Sequence, residues 1–483
     1  MTNHTAIDRL ISDRHNKIRQ RGSRVGEVST IIEIVARELL LFAAVGLLVG
    51  GLDDLLVDLI YIVRRLIKGP ATPIRSYALP QPEQPGRMIV FTPAWDEAAV
   101  IGAMLSTALA RFRHPDYRIY VGLYPNDPAT IAAAADMAER DDRVRLVIGA
   151  RDGPTTKADC LNTLWHALQH DIAVEGFRAK AIVLHDAEDV VHPDELAVFD
   201  SLIEERAVVQ LPVLPLVVPG SRLVSGHYAD EFAESHIKQL VVRTWIGAGM
   251  PLAGTGCALS PAMLGRIAAS RGGDPFDATS LTEDYELGLR IAELGGEGLF
   301  ARVADGTRGG VVAVRAYFPA TLVAAVRQKA RWMTGIALIG WDRTGWGRAL
   351  AMGDHWWRLR DRRGPVAMLV LAAAYLGMTA DALAVSIHWI AGTPLPPVDP
   401  GLRFLFGVNA LLLAWRLAVR MTFTGRAYGW REALWSLPRF IIGNFVALAA
   451  IPRALIRYIH VLRGGVPAWD KTSHHFPDLS PQS

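Results

Sequence analysis

Residues 181–196 read AIVLHDAEDVVHPDEL, a short apolar run that breaks abruptly into a cluster of acids. Ala181 to Leu184 is too short and too apolar for a surface helix, and it predicts a buried parallel strand. In open α/β sheets ligands bind outside the carboxyl ends of strands, and here that end carries Asp186, Glu188 and Asp189. One acid suffices to cap the helix that His192, Pro193 and Asp194 begin, with Pro193 near the first helical position. Three acids exceed that need. Packed carboxylates repel unless a cation shares them, and a hard divalent ion takes oxygen ligands while keeping sites free for phosphates. The stretch points to a metal-bound, phosphate-bearing donor; the competing reading is a solvated acidic strand-to-helix turn.

Working outward, MIVF from Met88, YRIYVGLY from Tyr117 and VRLVI from Val144 read as strands, with helices starting at Asp96, Pro128 and Lys157 between them. That rhythm predicts a parallel, doubly wound α/β sheet, in a domain spanning residues 87–341. The Pro-rich linker 70–86 marks its start.

The 483 residues are 51% hydrophobic, with mean hydropathy +0.21, high for a soluble chain. A net charge of +3 is too small over this length to argue for nucleic acid, and the arginines cluster beside apolar runs instead. Only Cys160 and Cys257 are present, which argues against a disulfide framework and suits a cytosol-facing domain, and no Cys/His spacing typical of a structural zinc site occurs. Residues 1–33 form a basic, polar tail without the apolar core of a signal peptide. Residues 34–69 read as one span, which borrows Ile31–Val35 to reach the required length, followed by an interfacial helix, LDDLLVDLIYIVRRL. A basic connector, 342–364, precedes two transmembrane helices within 365–424. In 425–463 interfacial and spanning readings compete, with the interfacial one preferred because Arg453 and Arg457 recur at i and i+4. A soluble tail, 464–483, follows. Positive-inside counting places the 87–341 domain in the cytosol and leaves the side of the N-terminus open.

Other clusters share the domain with the acidic turn. FTPAWDE puts Pro93, Asp96 and Glu97 at the end of the first strand, where Asp96 also suits a helix cap. LYPNDPAT puts Asn126 and Asp127 at the end of the second, in a tripeptide that is also ordinary turn chemistry. In SLTEDYELG, capping by Thr282 and the helix dipole account for Glu283 and Asp284, yet an acid there can also take a proton from an attacking hydroxyl. VRQKARWMTG places Gln328, Arg331 and Trp332 on a helix, either to hold a diphosphate and a sugar face or as a membrane-edge Trp and Arg.

In order, PAWDE, NDP, KADCLN, DAED, TED and QKARW resemble an inverting family 2 glycosyltransferase of GT-A fold, the membrane-embedded kind that includes cellulose and hyaluronan synthases. More closely, GLDDLLVDLIYIVRR, YPNDPAT, GPTTKADCLN, DEFAESH, YFPATLVAAVRQKARW and AWDKTSHHFP resemble the NfrB-type phage-adsorption inner-membrane glycosyltransferases, from about Gly51 to Pro477. The resemblance implies a GT-A, Rossmann-like mixed sheet with transmembrane and interfacial helices in the bacterial inner membrane. It implies transfer of a sugar from a UDP-sugar to a glycan or lipid-linked acceptor, with Mg2+ or Mn2+ as cofactor and an outer-membrane or periplasmic export partner. By the same resemblance Pro93, Glu97, Asp127, Lys157 and Asp186 contact the donor, and Asp186 with Glu188 takes the metal-binding DxD positions, Asp189 competing with Glu188. Asp284 is the implied base with Glu283 beside it. Gln328 and Arg331 hold the diphosphate, while Trp332, Gly254 and Cys257 lie on the acceptor side. Larger members continue past AWDKTSHHFP into a cyclic di-GMP-sensing domain, so direct regulation through such a domain is not expected of a chain ending at Ser483. The rival class is a catalytically silent scaffold or receptor component of an envelope system, which needs none of these acids.

Overall fold

The computed structural model describes residues 4–69, 78–84, 86–306, 310–465 and 474–477. Most of the 70–86 linker and of the 464–483 tail lies outside the described residues. In chain order the elements are α1 (His4–Lys68), β1 (Arg87–Pro93), α2 (Ile101–Arg111), β2 (Tyr117–Leu123), α3 (Pro128–Ala138), β3 (Val144–Ile148), α4 (Lys157–Glu175), β4 (Ala179–Leu184) and α5 (Glu195–Leu202). There follow β5 (Val208–Gln210), α6 (Val224–Glu234), α7 (Leu240–Trp245), β6 (Cys257–Leu259), α8 (Pro261–Ala269), α9 (Glu283–Glu293) and β7 (Gly298–Phe300). The remaining helices are α10 (Leu322–Trp332), α11 (Gly340–Thr344), α12 (Met352–Arg362), α13 (Gly364–Ala391), α14 (Pro400–Tyr428) and α15 (Trp430–Leu462). Two compact units divide the chain, residues 1–55 with 366–416 and residues 56–365 with 417–483.

The larger unit holds a sheet ordered β3-β2-β1-β4-β6-β5-β7. Its central strands are apolar on both faces because both are covered. Met88 and Val90 pack into one core with Ala181 and Val183, while Ile89 and Phe91 pack into the other with Ile182 and Leu184. Apart from the small Ala181, each such fully buried side chain contributes roughly 1.5–3 kcal/mol. Parallel register pairs Phe91 with Leu184 and Pro93 with Gly122, so residues 93–97, 124–127 and 185–189 leave the sheet along one edge.

The sheet is mixed rather than wholly parallel: β6 runs antiparallel to both β4 and β5. Three residues after a GTG run carry too little pattern to announce a strand, let alone its direction. The helix expected from Asp96 begins at Ile101 instead, because Asp96 takes a left-handed φ of +54° that breaks helical geometry. α15 packs within this unit, setting Val446, Ala450 and Ala454 against Tyr228 of α6 and Ala325, Val326 and Ala330 of α10.

In the smaller unit, α1, α13 and α14 approach closely where side chains are small: Gly46 abuts Val370, Gly51 abuts Leu412, and Gly377 abuts Leu40. Asn409 Nδ2 donates to the Ala44 carbonyl at 2.9 Å. Helix α1 runs unbroken from His4 to Lys68, through the stretch read as a polar tail and through LDDLLVDL. Two acids of that stretch are paired: Asp54 with Arg416 at 3.7 Å and Asp58 with buried Lys238. Four helical segments are long and apolar enough to cross a membrane: Ser29–Lys68, Gly364–Ala391, Pro400–Tyr428 and Trp430–Leu462.

Candidate active site

A cavity of about 400 Å³ opens at the carboxyl ends of β1 and β4. Pro93 and Glu97 reach it from β1, Asp186 and Glu188 from the turn after β4, Lys157 from the start of α4, Glu283 and Asp284 from the start of α9, and Gln328, Arg331 and Trp332 from α10. The structure thus gathers residues from five separate stretches of chain into one space.

Asp127 and Cys257 are not brought to it. Asp127 is 9% exposed and is occupied by the backbone, its Oδ1 accepting from Thr130 N–H at 3.2 Å and its Oδ2 from Asp96 N–H at 2.6 Å. It caps α3 and holds the unusual Asp96 conformation. Cys257 is fully buried in β6, where desolvation pushes its thiol far above the usual range. Gly254 does not line the cavity, but it meets the acids that do. Its φ is +75°, and a Cβ there would sit 2.7 Å from Asp284 Oδ2.

Within the DAED turn the acids divide into two kinds. Asp189 is 1% exposed and accepts from Asp186 N–H at 2.9 Å, from His185 Nδ1 at 2.9 Å and from the Thr255 hydroxyl. The other ring nitrogen of His185 lies 2.5 Å from Glu195 Oε1. Burial opposes the imidazolium, but Glu195 and Asp189 hold the His185 pKa up to about 10, so the ring donates to both. Asp189 is therefore an internal brace of the turn. Both acids line the cavity, but Glu188, its side chain 13% exposed, turns to a different partner.

There Glu188 meets a residue absent from the sequence-based candidates. His474 Nε2 lies 3.4 Å from Glu188 Oε1, and its Nδ1 lies 2.8 Å from Glu97 Oε1. One ligand atom from each of Glu97, Glu188 and His474 falls within 4.8 Å of the others. Two carboxylates and an imidazole converging at that spacing fit a divalent cation. Burial pushes the Glu188 carboxyl up and His474 pulls it down, but the neighbouring acids Asp186, Asp189 and Glu97 push it up again, a crowding that a cation would relieve. In the sequence His474 reads as part of a tail, and its only local signal is the HHFP tetrapeptide.

Asp186 sits beside this cluster and pairs with Lys157, whose Nζ also donates to the Gly254 carbonyl at 3.0 Å. Burial works against the Lys157 charge, yet Asp186, Glu283 and Asp284 outweigh it and keep the ammonium. Asp284 Oδ1 accepts from Tyr285 N–H at 2.8 Å. Burial raises the Asp284 carboxyl although Lys157 pulls it down, and Glu283 is raised by burial and by Asp284. A half-buried carboxylate with a raised pKa beside a fixed cation suits a proton acceptor. Thr282 precedes α9 without capping it through its side chain. Trp332 forms an aromatic wall with Tyr228 and Phe318, at centroid distances of 5.9 and 6.3 Å.

The profile described as "Glycosyltransferase like family 2" matches residues 85–335. Bacteriophage adsorption protein B of Escherichia coli K12 and bacteriophage N4 adsorption protein B of Escherichia coli O157:H7 are each 35% identical over 466 residues, covering 90% of this chain. The chain spans 62% of the length of these curated relatives. In fold it is similar to the mannosyltransferase PcManGT of Pyrobaculum calidifontis, solved with GDP-Man and Mn2+, at a TM-score of 0.53 and 18% identity, covering 88% of this chain and 99% of that one.

Proposed function

The chain belongs to glycosyltransferase-like family 2, and from that premise we propose that it moves a sugar from a UDP-sugar to a hydroxyl of a glycan or lipid-linked acceptor, with inversion at the anomeric carbon. The observation that carries this reading is that Asp284 and the Glu97, Glu188 and His474 cluster line one cavity. The cluster would hold Mg2+ or Mn2+, with Asp186 next to it. A divalent cation bound there supplies charge neutralisation for a diphosphate leaving group.

The protein's own groups do the rest. Lys157 and Arg331 bring further positive charge to the cavity and favour a departing diphosphate. Asp284 takes the proton from the acceptor hydroxyl as its oxygen attacks the anomeric carbon, while the bond to the diphosphate breaks on the opposite face. The Trp332 wall offers an apolar, aromatic face of the kind that receives a sugar ring. A UDP-sugar donor places the catalytic unit on the cytosolic side of the bacterial inner membrane, consistent with the arginines flanking the spans, and an exported product calls for a periplasmic or outer-membrane partner.

The deciding experiment is UDP release by the detergent-purified chain with a panel of UDP-sugars, with and without Mg2+ or Mn2+, beside Asp284→Asn. Metal-dependent release from one donor, lost in the variant, supports the reading. Absence of UDP binding under every condition defeats it and favours a silent scaffold.

A further inference from the structure

Next to the acids of α9 lies a set of contacts that the mechanism above does not use. The chain from Asp277 to Thr282 carries no helix or strand, yet it delivers Glu283 and Asp284 to the cavity. It is folded around one guanidinium. Arg343 Nε lies 2.9 Å from both carboxylate oxygens of Glu286, its Nη1 donates to Thr279 Oγ1 at 2.8 Å, and it pairs with Asp277. Glu286 also accepts from Ser280 Oγ at 2.6 Å, and Ser280 Oγ accepts from Thr282 N–H at 3.1 Å. Residues 277–286 thus close into a ring with Arg343 at its hub, and Asp284 is a member of that ring.

Arg343 itself does not line the cavity. It stands on α11, which continues α10 through the wider helical turn Met333–Ile339. Gln328, Arg331, Trp332 and Arg343 therefore ride on one helical rod, and that rod touches the ring a second time. Gly335 lies against Thr282, where a Cβ would come within 2.5 Å of Thr282 Cγ2. Wide turns of this kind are rare and frequently sit at functional sites. The Glu286 side chain is only 9% exposed, so the Arg343 pair is not a solvated surface contact, and removing the cation leaves a carboxylate stranded.

We propose that Arg343 is a positioning residue: it fixes the ring carrying Asp284 to the rod carrying Gln328, Arg331 and Trp332, so that the proton acceptor and the acceptor-side wall are set by one rigid part. The proposal rests on Asp284 being the base. Misplacement of a reacting group by about 1 Å costs on the order of 100-fold in rate, whereas Gln328 and Arg331 keep their own places on α10 when the link is cut, so UDP binding should change far less than the rate.

The test uses the full chain in detergent: wild type, Asp284→Asn, Arg343→Lys, Arg343→Gln, Glu286→Gln and the double variant Arg343→Gln/Glu286→Gln. Turnover, acceptor KM, UDP binding with Mn2+ and melting temperature are measured for each. Arg343→Gln should lower kcat by roughly 10- to 100-fold while UDP affinity stays within about two-fold, and Arg343→Lys should recover part of the loss. The double variant should lose no more than the worse single, because both break one link. If Arg343→Gln does not fold, Glu286→Gln, which keeps the Ser280 bond, carries the same expectation. Wild-type kcat in Arg343→Gln, or in Glu286→Gln where that variant carries the test, overturns the positioning role, as does a loss of UDP affinity in step with the loss of rate. Full turnover in Asp284→Asn instead overturns the base assignment underneath it.

Discussion

His474 Nδ1 lies 2.8 Å from Glu97 Oε1, although 377 residues separate the two in the chain. With Glu188 they form a cluster that no sequence spacing foretells. If the cluster holds the cation, His474→Ala should weaken Mn2+-dependent UDP binding at least about tenfold, the scale seen even for residues that merely orient a metal's ligands. Calorimetric titration of UDP at several Mn2+ concentrations checks this. Metal dependence identical to wild type would remove His474 from the cluster.

The two neighbouring acids Glu188 and Asp189 should respond in opposite ways. Glu188→Gln leaves the braced turn intact, so melting temperature should hold while metal-dependent UDP binding falls. Asp189→Asn leaves His185 with a weakened partner inside the protein and should cost about 1–3 kcal/mol of stability. A thermal melt beside a binding titration for each variant separates the outcomes, and a reversal of the pattern would exchange the assignments.

Much of this was legible because it is local. An apolar run ending in acids is visible in 16 consecutive letters at 181–196, and β1 to β4 and the starts of α3 and α4 fall where the pattern places them. What stayed hidden depends on contacts between distant segments. Asp127 looks the same in a sequence whether it faces a nucleotide or, as here, two backbone N–H groups. The partners of Asp54 and Asp58 in LDDLLVDL are Arg416 and Lys238, both more than 150 positions away in the chain. The antiparallel β6 is three residues long, too short for any periodicity.

The stability of the α6 and α10 contact should depend on pH in a defined window. Burial alone pushes the Glu231 carboxyl up, but Lys329, 2.5 Å away, overrides it with help from His227, and the group titrates at about 2, below its ordinary value of 4.5. Because the folded value is the lower one, unfolding favours proton uptake. The contribution is complete above about pH 4.5 and drains as pH falls toward 2. Glu231→Gln should therefore melt below wild type at pH 7, with the gap narrowing as the buffer is taken below 4.5. A gap that stays constant across that range would show that packing, not charge, is what the substitution disturbs.

Gly254 offers the sharpest separation of catalysis from folding. It sits at φ +75°, where an L side chain costs about 1–2 kcal/mol, an amount the larger unit with its two-faced sheet can absorb. The same substitution, however, points a methyl group at Asp284 Oδ2 from 2.7 Å and at Lys157 Nζ from 3.3 Å. Both groups must move, and with them the carboxylate assigned to proton abstraction. Gly254→Ala should thus lose most of its turnover while its melting temperature falls by only a few degrees and UDP still binds. Lys157 also pairs with Asp186 beside the metal cluster, so some loss of UDP affinity is expected, but smaller than the loss of rate. Turnover close to wild type in a folded Gly254→Ala protein would mean that Asp284 tolerates displacement, a behaviour at odds with a positioned base.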